Sequence, residues 1–493
     1  MARLAPIFRE TEILLAGANG FLGKVLLALL LDRFPEVRRL HVLVRPRSGL
    51  SGADRFEREV LDSPPLQPLL QRVGRQALRE RINILSGDAS MPLAGLAASQ
   101  ASELAGRIGL VLNCAGLVDF FPPVELSLRA NVDSVERLLE LCNQLDAKLL
   151  HVSTCYVAGE ADGLVEETEP VVGYYPRRSG PGDASFNAAA VLDACRAAAA
   201  AAGEGLEAAE RTAALVELGR VQAAKWGWVN TYTFTKSLGE QVLAAQSEVP
   251  YAIVRPAIVE SALHYPFPGW IEGGRTAAPL ALMALGGLLD WPARRDLSLE
   301  VVPVDLVAAG ILAVVGALLS GTSGQVYQLA SSDLNPYPLE DLIDLLCREA
   351  RSTRSQAGKP PLWLDPLPRL RFLSPLEADR RRDRQRARIR RARRLLERSG
   401  RRARAAQLRI LELQLGFHEE TFRQYLPFIH AHRYVFETVN IRRCYEQLDA
   451  ADRDLLPWNP AAINWPEYWR DCQLPGIRQW VQPEAVRQWA FQI

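Results

Sequence analysis

Short apolar runs and longer amphipathic runs succeed one another along the first third of the chain. EILLAG (12–17), LHVLVRPRSG (40–49), INILSGD (82–88), GLVLNCAG (109–116) and KLLHVST (148–154) each read as a strand. Between them lie stretches of helical spacing, such as VLLALLLDRF after the first run and ELSLRANVDSVERLLELCNQL at 125–145. This alternation predicts a doubly wound, parallel Rossmann sheet in an α/β fold. After about residue 335 the helical pattern takes over, so a mainly helical C-terminal domain is expected over 336–493. The Ala-rich stretch VLDACRAAAAAAGEGLEAAERTAAL (191–215) is built of strong helix formers and predicts a helical insertion near 183–226.

The longest apolar run, LVAAGILAVVGALL (306–319), is too short to span a bilayer and reads as a buried core helix. With 493 residues, 48% hydrophobic and 23% charged, the chain has room for two or three globular domains. Its seven cysteines form no Cys-x-x-Cys pair and no signal peptide precedes them, which suggests reduced thiols in a cytoplasmic protein. The six histidines show no zinc-like grouping, so no metal is expected.

Candidate chemistry begins at the first strand. Gly17-Ala18-Asn19-Gly20-Phe21-Leu22-Gly23-Lys24 follows it and opens a helix. Strand, glycine turn and helix in that order mark a dinucleotide site, because the glycines let the backbone approach a pyrophosphate held at the helix N-terminus. The second strand ends in Arg45, with Arg47 close behind, where an NAD enzyme usually carries an acid. A guanidinium suits a 2′-phosphate, so NADPH is favoured over NADH. Asp88 and Ala115, at the carboxyl ends of the third and fourth strands, are placed to border the same cofactor.

Tyr232 stands four residues before Lys236 in NTYTFTKSLGE, and Thr154 closes the fifth strand. A Tyr-x-x-x-Lys match alone is weak, since residues i and i+4 always meet on a helix. Beside the glycine fingerprint it resembles the reductase trio of the short-chain dehydrogenase/reductase superfamily. In that chemistry a nearby ammonium lowers the tyrosine pKa, the phenol passes a proton to a carbonyl oxygen, and the threonine holds that oxygen.

The blocks AGANGFLGK, LHVLVRPRSG, HVSTCYVAG, NTYTFTKSLGE and YAIVRPAIVESALHYPFPGW together resemble the signatures of fatty acyl-CoA reductases, the male-sterility-type branch of the extended superfamily. The resemblance covers roughly residues 10–330 and returns at 434–449 and 463–481. It implies NADPH-dependent reduction of a long-chain fatty acyl-CoA to a fatty alcohol through the aldehyde. It further implies that Lys236 binds the nicotinamide ribose, and that the segment holding Pro256 and Ile258 runs beside the nicotinamide. Ala16 and Asn19 depart from common threonines, and Asn113 from a frequent histidine. Thr154 and Tyr232 lie 78 positions apart, a surplus assigned to the helical insertion, read as lying near the acyl site. Cys155 invites an acyl-enzyme route, but a strand-end cysteine is more often a packed hydrophobe. Rival readings are a thioester reductase that releases aldehyde from acyl-CoA or acyl carrier protein, and an NADPH-binding redox sensor.

Net charge is +1, yet between Arg369 and Arg409 stand seventeen arginines and four acids (Glu377, Asp379, Asp383, Glu397), leaving the rest of the chain at about −12. A solvated face, a peripheral contact with anionic membrane, and a dock for coenzyme A or acyl carrier protein all fit this stretch. Nucleic acid does not, because interleaved aromatics are nearly absent. The aromatic tail (Trp458, Trp465, Tyr468, Trp469, Trp480, Trp489) suits either an acyl tunnel or domain packing.

Overall fold

The computed structural model describes residues 3–180, 182–202, 204–274, 276–356 and 370–483. Its main strands are β1 (Glu12–Ala16), β2 (Arg39–Val44), β3 (Ile82–Ser86), β4 (Ile108–Asn113), β5 (Lys148–Val152), β6 (Tyr251–Pro256) and β7 (Gln325–Leu329). All pair in parallel, in the order β7-β6-β5-β4-β1-β2-β3. Strand order reverses at β1, which lies between β2 and β4 with Leu14 in register with His41 and Val111. Such a reversal opens a crevice at the strands' carboxyl ends, where the glycine turn sits. Every side chain of β1 is buried, as expected of a parallel strand covered on both faces.

Helix α1 (Phe21–Arg33) buries nine consecutive residues, Gly23 to Leu31. Helix α2 (Ser134–Leu145) turns Leu138, Leu141 and Leu145 toward Leu14, Val111, Leu149 and Ile253, each such leucine contributing about 1.5–3 kcal/mol by burial. Helix α3 (Thr231–Gln246) starts at Asn230, whose Oδ1 accepts the Thr233 amide at 2.9 Å. Helix α4 (Val304–Leu319) is the 306–319 run, a core helix packed on α1. Among the described residues no helix is long and apolar enough to cross a membrane.

The insertion forms two helices, Ala188–Ala202 and Ala208–Trp226, whose Leu192, Cys195 and Leu215 join Phe234 and Leu238 of α3 in one core. Helical spacing puts Phe234 and Leu238 on the opposite side of α3 from Tyr232 and Lys236. The insertion therefore braces the back of α3.

Where the sequence suggests one cut after residue 335, the compact units interleave. One comprises Met1–Gly273, Glu300–Asn335 and Val435–Ile493; the other comprises Gly274–Leu299 and Pro336–Tyr434. Buried carboxylates tie the returning tail into the first unit. Glu167 accepts the amides of Gln328 (2.7 Å) and Asn440 (2.6 Å), and Glu300 accepts that of Phe436 (3.4 Å). Trp458, Trp465, Tyr468 and Trp469 are buried in that unit, and the Trp465 indole donates to the Asn335 carbonyl at 2.8 Å. Trp480 meets Trp270 edge-on at 5.0 Å. Trp489 and Arg369 lie outside the described residues.

The second unit is dominated by a hairpin of α5 (Pro375–Arg398) and α6 (Arg402–Leu426). Ser374 and Glu377 form a capping box at the start of α5, with Pro375 at the first helical position.

Candidate active site

The glycine turn is built by close approach. Gly17 has φ +91°, and a Cβ there would sit 2.5 Å from the Ala115 nitrogen. A Cβ on Gly23 would sit 2.1 Å from the Gly17 carbonyl oxygen. Glycine is required at both: at Gly17 for the turn against β4, at Gly23 for packing the helix on the strand. Gly20 caps α1, donating its amide to Gly17 O at 3.1 Å. Phe21 and Leu22 head the helix, where backbone amides have no partner within it.

Beside this turn opens a cavity of about 690 Å³ lined by Gly17, Asn19, Gly20, Arg45, Arg47, Asp88 and Ala115 among others. Phe21, Leu22, Gly23, Thr154, Tyr232, Lys236, Pro256 and Ile258 do not line it. The link between the two groups is Gly116, a wall residue: a Cβ there would stand 3.6 Å from Lys236 Nζ.

Two further cations border the cavity, Arg55 and Arg129, and neither is signalled by a sequence motif. Arg55 is largely buried, clamps Glu59 (2.9 and 2.6 Å) and donates to the Arg45 carbonyl (2.5 Å). Asn19 donates to the same Glu59 at 2.8 Å. Asp88 accepts from the amide and hydroxyl of Ser90 (3.0 and 2.8 Å) and faces Arg45 and Arg129, each at 3.7 Å. Burial pushes its pKa up, but the Ser90 hydrogen bonds and the two arginines outweigh burial and hold it below the usual carboxylate range.

The Thr154 hydroxyl stands near the Tyr232 phenol and acts to lower its pKa. Thr154 Oγ1 also donates to the Pro256 carbonyl at 3.4 Å, which joins the ends of β5 and β6. Ile258 continues from Pro256 into a short strand, its amide donating to Glu300 O at 2.9 Å. Lys236 is buried, and its ammonium donates to the Val152 carbonyl at 2.7 Å. Burial lowers its pKa to about 8, with Glu240 opposing.

The expectation that Lys236 lowers the Tyr232 pKa is not met. Burial pushes Tyr232 up to about 12, and only the nearby Thr154 hydroxyl acts the other way. Desolvation dominates at Tyr232, and the Lys236 ammonium is turned to the Val152 carbonyl. A phenol with that pKa stays protonated, which is the form a proton donor needs.

Sequence reasoning missed two supports. Asn131 lies on a π-helical turn (Arg129–Asp133), donates to Thr235 Oγ1 (3.0 Å) and accepts the Leu117 amide (3.0 Å). A π-turn inside a helix is frequent at functional sites but leaves no residue pattern in sequence. The second is the buried Glu240–Arg255 pair. Glu240 lies four residues beyond Lys236, so helical spacing was a usable signal for its face. Cys155 is buried, donates to Arg255 O at 2.8 Å, and is held well above the ordinary thiol range by burial, so it is no thiolate nucleophile. Among the described residues no cluster of metal-ligating side chains occurs.

Comparison with known proteins places the chain in a family. The family model described as male sterility protein matches residues 15–311. Probable fatty acyl-CoA reductase 5 of Arabidopsis thaliana is 31% identical over 352 residues, covering 69% of this chain and 70% of that protein. Chloroplastic fatty acyl-CoA reductase 2 of the same plant is 30% identical over 361 residues, covering 71% of this chain but 58% of that protein's length. The alcohol-forming fatty acyl-CoA reductase of Simmondsia chinensis is 29% identical over 364 residues, covering 71% and 72%. In fold, the chain is similar to the reductase domain of a non-ribosomal peptide synthetase from Mycobacterium tuberculosis (TM-score 0.53, 19% identity, 96% of this chain and 95% of that one).

Proposed function

This chain belongs to the male-sterility family of fatty acyl-CoA reductases and is an oxidoreductase; from that premise we propose that it reduces long-chain fatty acyl-CoA to fatty alcohol with NADPH. The observation that carries the reading is Lys236, on one helix with Tyr232 and fixed to the end of β5, standing behind Gly116 at the wall of a glycine-cradled cavity.

The residues fit a dinucleotide. Gly17, Gly20, Phe21, Leu22 and Gly23 form a turn and helix start suited to a pyrophosphate, with Asn19 at its edge. Arg45 and Arg47 face the same cavity as Asp88, and their guanidinia suit a 2′-phosphate, whereas Arg55 is committed to Glu59. Asp88 is already engaged by Ser90 and two arginines, so it makes a poor partner for a free ribose hydroxyl. We therefore read the preferred cofactor as NADPH, with Ala115, Pro256, Ile258 and Lys236 along its length. When bound, it supplies hydride to the thioester carbonyl and then to the aldehyde.

The chain's own residues do the rest. Thr154 holds the carbonyl oxygen, and Tyr232 passes its phenolic proton to the oxygen as charge develops there. The ammonium of Lys236, fixed by Val152 O, holds positive charge near that oxygen. Collapse of the protonated adduct expels coenzyme A as its thiol, and a second reduction at the same trio gives the alcohol. Cysteines with no disulfide fit a reducing compartment such as the cytoplasm.

The test is the ratio of NADPH oxidised to thiol released from palmitoyl-CoA, with products identified by gas chromatography. Two per thiol with hexadecanol is expected. One per thiol with free hexadecanal would move the assignment to an aldehyde-releasing thioester reductase; faster turnover with NADH would overturn the arginine argument.

A further inference from the structure

The hairpin of the second unit sorts its arginines into two sets. Arg386 and Arg393, turned toward α6, pair with Glu419 (2.5 Å) and Glu412 (3.5 Å), and Arg390 pairs with Glu412 as well. Those pairs complete the seam between the helices. A second set, Arg384, Arg388, Arg391, Arg394 and Arg398, is exposed and makes no ion pair with any carboxylate of the described residues. Spacings of four, three, three and four residues gather this set on the outer side of α5. Leu395 sits in the middle of that face and is 68% exposed, while α6 leaves Ile410, Leu411 and Leu413 nearly half exposed.

This arrangement is costly in water. Like charges at i,i+3 and i,i+4 repel along α5, and the leucine at their centre gains nothing from hydration. A solvated helix face would interleave acids with the arginines, as the inner side of α5 does. An acidic protein partner would match the guanidinia but would leave Leu395 without an apolar counterpart. A bilayer with anionic headgroups supplies both: phosphates for the guanidinia and acyl chains just beneath for the leucine. The face is long enough, since α5 has 24 residues and spans about 36 Å.

We propose that the outer face of α5 is a docking surface for an anionic lipid bilayer, with Arg384, Arg388, Arg391, Arg394 and Arg398 on the headgroups and Leu395 inserted between them. The proposal is independent of the catalytic reading.

The test is co-sedimentation of the full chain with vesicles of phosphatidylcholine alone or with added phosphatidylserine, at low and high salt. Binding is expected only with phosphatidylserine, and should weaken with salt. Neutralising three arginines (R384Q/R388Q/R391Q) should lower vesicle affinity by roughly 100-fold, about five-fold for each charge. L395Q should also weaken binding but leave the salt dependence unchanged, because its contribution is apolar. Circular dichroism checks that both variants keep their helices, and NADPH oxidation with a water-soluble short-chain acyl-CoA should match the parent. Equal binding to neutral vesicles, undiminished binding by the triple variant, or capture by acidic acyl carrier protein with no vesicle binding would each overturn the proposal.

Discussion

Arg255 and Glu240 form a fully buried ion pair directly behind the trio: the guanidinium donates to the carboxylate at 2.6, 3.0 and 3.2 Å. One partner stands on β6 immediately before Pro256, the other on α3 one turn past Lys236. The pair therefore fixes strand end and helix relative to each other. Glu240→Ala leaves a buried guanidinium without its counter-charge, and a loss of about 3–5 kcal/mol is expected in urea unfolding. The double change Glu240→Leu with Arg255→Met should recover most of that stability. Recovery of stability without recovery of turnover would assign the pair to positioning; recovery of both would make it only a packing element.

The same carboxylate bears on pH dependence. Lys236 keeps its proton below about pH 8, a value set by burial and partly opposed by Glu240. Tyr232, pushed to about 12, remains a phenol throughout. The expected kcat/KM profile therefore falls on the alkaline side near pH 8, with Lys236 as the titrating group. In Glu240→Gln the supporting charge is gone, Lys236 loses its proton earlier, and the falling limb should move to lower pH. An unmoved limb would place the titration elsewhere.

Tyr232→Phe removes the proton donor while leaving the glycine turn intact. Turnover should drop by about 10²–10⁴ with NADPH affinity, measured by fluorescence titration, nearly unchanged. Survival of activity would show that another group protonates the oxygen.

The glycines separate packing from cofactor contact. A Cβ on Gly23 meets backbone atoms of Gly17 and Ala18 at 2.1 and 2.9 Å, and backbone cannot yield. Gly23→Ala is expected to lower the melting temperature and destabilise by about 1–3 kcal/mol. Gly20 has φ −82°, and its Cβ would lie 3.5 Å from Gly17 O, an ordinary contact. Gly20→Ala should therefore keep its stability and lose NADPH affinity, because the added methyl stands where the pyrophosphate approaches.

Much of this was legible because it is local. The fingerprint, the five early strands and Tyr232/Lys236 are encoded within windows of ten to twenty residues, where period and residue type suffice. The rest depends on contacts between distant segments. Nothing near Glu167 announces that it will receive the amide of Asn440, 273 residues away. Nor does the spacing around Tyr232 reveal that burial, not Lys236, sets its pKa. The return of 435–483 to the sheet-bearing unit was hidden for the same reason, since a helical pattern does not state what it packs on.

Burying Glu300 has a thermodynamic consequence of definite sign. Burial raises its pKa from 4.5 to about 7, against hydrogen bonds from the amides of Ser332 (3.2 Å), Ser331 (3.4 Å) and Phe436 (3.4 Å). Because the folded value lies above the unfolded one, the native state holds a proton that the unfolded chain releases between those pH values. Its contribution is complete below pH 4.5 and is lost as pH rises through about 7, on the order of 3 kcal/mol. Carboxylates held low, such as Asp88, run the opposite way, so the comparison must be made against a variant. Urea unfolding of the parent and Glu300→Gln at pH 5 and pH 8 isolates the term. The parent's stability relative to the variant should be greater at pH 5, where Glu300 is protonated in the fold, than at pH 8, where it must be buried charged. An equal difference at both values would mean that Glu300 does not titrate in this window and that the tail is anchored by a neutral or permanently ionised carboxyl.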